Sequence, residues 1–155
     1  LKADDVDQFI RSGRRGLPAA PQWRDGNRAG ERRASLDVAL DGIVSPVSLE
    51  MTIRLNDPQY LMALLLCSRS VICRLCMTTG HRDRRTGAIT NSPHFHSWEA
   101  NRGGSKSIPK TLNNLEVVPA WVAGRDKAFA WFLERNGIDS PRWLPVPWPH
   151  DEGFI

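Results

Sequence analysis

Ala34-Ser35-Leu36-Asp37-Val38-Ala39-Leu40, then Asp41-Gly42, then Val47-Ser48-Leu49-Glu50-Met51-Thr52-Ile53-Arg54-Leu55, is the stretch whose reading decides the fold. Ala34, Leu36, Val38 and Leu40 alternate with Ser35, Asp37 and Asp41; Val47, Leu49, Met51, Ile53 and Leu55 alternate with Ser48, Glu50, Thr52 and Arg54. A period of two places every apolar side chain on one face of a strand, so the pattern predicts a β-hairpin with one dry and one wet face. Asp41-Gly42 suits the turn, because both central residues of a tight hairpin turn need positive φ. Pro46 has no N–H for a ladder and marks a bulge or an edge.

After the hairpin, Asn56-Asp57-Pro58 reads as a turn or a helix start, and Tyr60 to Cys67 is too short and too uniformly apolar to assign by period. Val71 to Met77 predicts a strand with Val71, Cys73, Leu75 and Met77 on one face and Arg74 and Cys76 on the other. A polar loop, Thr78 to Ser92 with Thr86-Gly87 as its turn, leads to a further strand over His94 to Glu99. Gly103-Gly104-Ser105 breaks the pattern, and Leu112 to Val118 carries no clear period. Gly124 to Asn136 predicts an amphipathic helix with Ala128, Phe129, Phe132 and Leu133 on one stripe and Gly137 as its cap. Residues 140–155 form a Pro/Trp-rich tail, expected to lie extended over the body with Trp143 and Trp148 tucked in.

Towards the N-terminus, residues 4–12 predict a short helix stopped by Gly13. Residues 12–33 turn to Gly, Pro and Arg and read as a long basic loop or flexible arm, expected to be mobile until a partner orders it. The expected architecture is α+β: an antiparallel sheet of four to five strands packed by one or two helices. With 155 residues, 41% hydrophobic and 25% charged, residues 1–155 are read as a single domain with one core.

The longest apolar run, Leu61 to Cys67, is far below the roughly 18 residues of a membrane helix, so no membrane partner is expected. The opening Leu1-Lys2-Ala3-Asp4-Asp5 lacks a signal-peptide pattern, and three cysteines, an odd number, fit a reducing, cytoplasmic compartment better than a disulfide framework. Net charge is only +4, but residues 1–110 hold 17 basic and 11 acidic groups, and the rest four and six. Arginine dominates the surplus, the side chain best shaped to grip phosphate or carboxylate in pairs of hydrogen bonds. A solvated surface accounts for such a surplus equally well.

Three of the four histidines, His81, His94 and His96, lie within sixteen residues. In a strand His94 and His96 share a face while Phe95 points to the core, so the imidazoles are expected side by side on the wetter face near Glu50, Thr52 and Arg54. Around them stand Arg82, Asp83, Arg84, Arg85, Glu99, Arg102, Lys106 and Lys110.

An imidazole pair among cations is what metal-free RNA cleavage requires: one takes the 2′-hydroxyl proton, the other protonates the leaving oxygen, and a cation stabilises the phosphorane. The leading expectation is therefore a toxin-like endoribonuclease needing no cofactor. His94 and His96 act as acid and base in it, and His81 or Arg102 holds phosphate. Arg82, Arg84, Arg85, Lys106 and Lys110, with Arg32 and Arg33 of the arm, bind the nucleic acid. The second is a non-catalytic module gripping nucleic acid or an acidic protein partner or inhibitor. The third is a zinc hydrolase, with His81, His94 and His96, or Asp83 or Glu99 in place of one, as ligands and one position open.

The bland alternative has one imidazole on a backbone carbonyl and the other in water. Cys73-x-x-Cys76 resembles a zinc knuckle, but a separation of three sends the sulfurs to opposite faces, so the cysteines are read as inert. Gly103-Gly104-Ser105-Lys106-Ser107 lacks phosphate-loop spacing and is read as a flexible loop offering N–H groups and Lys106 to an anion.

The block Gly80-His81 through Ser92-Pro93-His94-Phe95-His96 and Glu99 resembles an uncharacterised prokaryotic domain family whose pattern is a strand, a His-containing loop, a Pro-His-x-His strand and a Gly-rich loop. The resemblance runs from roughly Met51 to Lys110 and departs where the family's loop His is followed by Asn and Pro, since Arg82 and Asp83 stand here. It implies that His81, His94 and His96 matter, and implies no particular reaction.

Overall fold

A computed structural model describes residues 2–77, 81–82, 89–90 and 92–150. Its order is α1 (Ala3–Arg11), β1 (Arg15–Gly16), β2 (Arg24–Asp25), β3 (Glu31–Leu40), β4 (Ile43–Arg54), β5 (Asp57–Cys67), β6 (Ser70–Cys76), β7 (His81–Arg82), β8 (Ile89–Thr90), β9 (His94–His96), α2 (Trp98–Asn101), β10 (Glu116–Val117) and α3 (Arg125–Arg135). The class is α+β, built mostly on antiparallel sheet. The sheet is larger than four or five strands: among the described residues eight strands join in the order β1-β3-β4-β5-β6-β9-β10, with β2 also on β3. Strands β7 and β8 form a separate two-stranded ribbon. The helices number three among the described residues, against the one or two expected.

The hairpin forms where the alternation places it. Asp41 and Gly42 both have positive φ, 51° and 78°, as the tight turn demands. The register of β3 on β4 shifts between Asp37 and Ala39, which puts Pro46 in a bulge. There Ser45 Oγ donates to the Val38 carbonyl at 2.5 Å and accepts from Val47 N at 3.2 Å, standing in for ladder bonds. The run after Asn56 is β5, apolar on both faces. Asn56 itself lies in the turn between strands rather than at a helix start.

Ala34, Met51, Ala63, Leu75 and Phe95 are partners in one cross-sheet line and all are buried. This face carries the core. Phe95 meets Trp131 and Phe132 of α3 edge to face, at 5.1 and 6.1 Å between ring centres. Helix α3 begins after Gly124 and ends before Gly137, both at positive φ. Arg125, in its first turn, donates to the carbonyls of Arg54, Asp57 and Tyr60 and pins the β4–β5 turn. The tail lies over the body: Trp143 Nε1 donates to the Leu17 carbonyl and Trp148 Nε1 to Asp126. Segment 12–33 contributes β1 and β2, each paired to β3.

The strand expected over His94 to Glu99 stops at His96. Ser97 accepts a hydrogen bond from Ala100 N and caps α2, so Trp98 and Glu99 are helical. Part of the segment without clear period becomes β10, paired to β9. The Thr86-Gly87 turn and Asp83, Arg84 and Arg85 lie outside the described residues. No helix among the described residues is long and apolar enough to cross a membrane.

Candidate functional site

On the face opposite the core, strand register assembles two rows. Arg24, Arg33, Thr52, Met62, Cys76 and His94 form one, each paired with the next across β2, β3, β4, β5, β6 and β9. Ser35, Glu50, Leu64, Arg74 and His96 form the other. The parity argument thus holds for His94 and His96, which stand side by side with ring centres 5.1 Å apart. They are not wet. His94 is 0% exposed and His96 4%, because a sheet face is dry wherever other chain crosses it.

The polar atom against this pair is Arg74, whose Nη2 lies 3.0 Å from His96 Nε2. A guanidinium only donates, so His96 Nε2 accepts and the ring is neutral with its proton on Nδ1. His94 Nδ1 lies 3.0 Å from the Ser92 carbonyl, which only accepts, so this ring also carries its proton on Nδ1. Both histidines are shifted towards the neutral form. Burial dominates for His96, with Arg74 and His94 adding to it, and its pKa falls to about 4; the nearby Leu112 and Asn114 main chain pulls the other way. Burial also lowers His94, opposed by Ser92. At neutral pH the pair therefore offers bases and no acid.

Arg74 is the candidate-site residue that sequence reasoning did not single out. Its signal was present: the same parity that sends Cys73 and Leu75 to the core sends Arg74 and Cys76 to the histidine face. Cys73 lies in the core and Cys76 beside His94, on opposite faces; all three cysteines are free, and burial raises their thiol pKa values.

Arg102 is held elsewhere. Its guanidinium bonds Asp7 at 2.9 Å, Asp4 at 2.7 Å and the Ser105 carbonyl at 2.5 Å, tying α2 to α1. Asp7 also accepts from Trp98 Nε1 at 2.8 Å, and that bond, ahead of Arg102, holds its carboxyl below the usual range. Arg33 pairs with the buried Glu31 at 3.0 Å and Arg32 with Asp25 at 3.2 Å. Lys106 and Lys110 are exposed in the segment after α2, and Glu99 is exposed on α2. His81 and Arg82 belong to the β7–β8 ribbon, and their side chains lie outside the described residues. Among the described residues no three of His, Cys, Asp and Glu converge as a metal site would require. Comparison with protein-family models, with curated proteins and with solved structures finds no match to this chain.

Proposed function

We propose that this protein is a nucleic-acid-binding module that receives single-stranded RNA on the helix-free face of its sheet. One observation carries the reading: that face has an apolar middle, Met62, Leu64 and Leu66, flanked on its open side by the guanidinium groups of Arg24 and Arg33. The part of the row not closed over, from β2 to β5, spans about 14 Å at the usual strand spacing, enough for two or three nucleotides. Bases lie on the apolar floor and phosphates meet arginine, which is how sequence-tolerant single-strand binders work. Glu50 sits in the second row and opposes an anion.

Binding is favoured over cleavage because both imidazoles are enclosed and neutral. A 2′-hydroxyl has to reach within hydrogen-bond distance of a base, and at 0% and 4% exposure neither ring offers that access. The endoribonuclease reading keeps one supporting observation, the clustering of His94, His96 and Arg74.

The test is fluorescence anisotropy with a labelled single-stranded RNA across a salt series, with product analysed on a gel. Affinity is expected to fall steeply with salt, by a slope that the Arg24→Glu/Arg33→Glu variant reduces by roughly 0.7 for each phosphate it no longer engages. Glu50→Gln is expected to tighten binding, and no product is expected. Salt-independent binding, or a double variant that binds like the parent, ends the proposal. RNA cleavage that disappears in His94→Ala replaces it with the catalytic reading.

A further inference from the structure

Beneath α1 and the end of α3, on the core side of the sheet, the packing leaves a cavity of about 90 Å³. Its floor is apolar and buried: Val38, Val47, Leu65, Ile72 and Phe95. The less buried lining groups are mostly polar, namely Arg15, Ser97, Glu99, Arg135 and Asn136. An apolar floor under a few convergent polar groups is the form of a site for a small amphiphile.

Two guanidinium groups stand at the polar side. Arg15 Nη1 donates to the carbonyls of Phe9 and Ile10 at 3.1 and 2.6 Å, and Nε donates to that of Asn136 at 3.3 Å. Its Nη2 makes no hydrogen bond among the described residues. Gly137 leaves it room, for a Cβ there would collide with Nη2. Arg135 reaches Glu116 through Nη1 at 2.5 Å and lies over the Phe95 ring, 4.9 Å from its centre. Arg135 is thus already paired with Glu116, and the lining adds the exposed Glu99, whereas Arg15 makes no ion pair among the described residues.

We propose that this cavity binds a short-chain aliphatic carboxylate, its tail on Leu65, Ile72 and Phe95 and its carboxylate against Arg15. The size follows from the volume: 90 Å³ is well below the roughly 150 Å³ of an apolar cavity that takes benzene, which fits the branched tail of a four-carbon acid. The charge follows from Arg15, a half-buried guanidinium with no carboxylate partner among the described residues, and a guanidinium is suited to a planar carboxylate by charge-assisted hydrogen bonds. This site lies on the core side and stands or falls apart from the RNA reading of the opposite face.

The experiment is a two-dimensional NMR titration of the full chain with isobutyrate and, separately, with isobutyramide, which has the same shape without the charge. Isobutyrate is expected to bind saturably, shifting the amides of Cys73, Phe95 and Ile138, and roughly tenfold more tightly than the amide. Arg15 holds two helix ends, so its removal risks the fold; Ile10→Trp instead fills the cavity from α1 and is expected to abolish the shifts while the rest of the spectrum stays native. Equal affinity for acid and amide, shifts scattered over surface arginines, or undiminished binding in Ile10→Trp overturns the proposal.

Discussion

The helix-free face of the sheet differs from one side to the other. Around Ser35 and Asp37 of β3 it is open, those two exposed and their β4 partners Glu50 and Ser48 half-buried, whereas over β6 and β9 it is closed, with Cys76, His94 and His96 buried. The strands are paired in one continuous sheet, so pleat and parity are the same on both sides. Side-chain direction is thus a local property of a strand, while wetness is set by whatever chain passes over it. Asn101 helps to fasten that cover: its Nδ2 donates to the Asn114 carbonyl at 2.9 Å and its Oδ1 accepts from Asn114 N at 2.8 Å. Leu112 and Asn114, in the segment so held, are the main-chain neighbours of His96.

Acid should separate the two sides most strongly. His96 titrates at about 4 in the folded chain and near 6.5 when unfolded, so between these values the unfolded state binds more protons and stability falls as pH falls. The loss is on the order of 3 kcal/mol from pH 7 to 4, read by urea unfolding at each pH, and His96→Gln should flatten that part of the profile. An unchanged profile in that variant would place the acid sensitivity elsewhere.

Loosening the cover should convert the closed side into an open one. Asn101→Ala leaves Asn114 N and the Ser97 and Asn114 carbonyls without their partner and is expected to cost about 2 kcal/mol. In the same variant the His96 imidazole, followed by NMR, should titrate closer to its ordinary value. A destabilised variant in which His96 stays neutral to pH 5 would show that this strap does not enclose it.

On the open side, Ser35→Ala should change stability by less than about 0.5 kcal/mol, because Ser35 is exposed. A larger loss would mean that something covers this half as well.

What could be read from the residues follows the same division. The β3–β4 hairpin was legible because its two faces meet different solvents, and Asp41-Gly42 has one favoured geometry. Strand β5 was not, since Met62, Leu64 and Leu66 make its outer face apolar too and erase the alternation. The pairing of His94 with His96 followed from parity, but the main chain that lies near His96, at Leu112 and Asn114, is far enough along the chain to leave no local trace. Arg74 entered the site through its neighbour on β9, a relation that only register supplies. The end of β9 was written in Ser97, whose hydroxyl caps α2, but a cap before a helix of four residues is a faint signal.

Arg15 has a consequence for how the chain comes to its final form. Its carbonyl accepts from Asp139 N at 2.8 Å, its side chain caps carbonyls at the ends of both α1 and α3, and it bridges to Ile138 in parallel. The β3–β6 meander can assemble from near neighbours as it leaves the ribosome, whereas this clasp joins the first strand to residues made more than a hundred positions later. Closure therefore waits until residues 136–139 have been made, and until then the inner side of the sheet lacks its lid and is exposed to chaperones or to wrong partners.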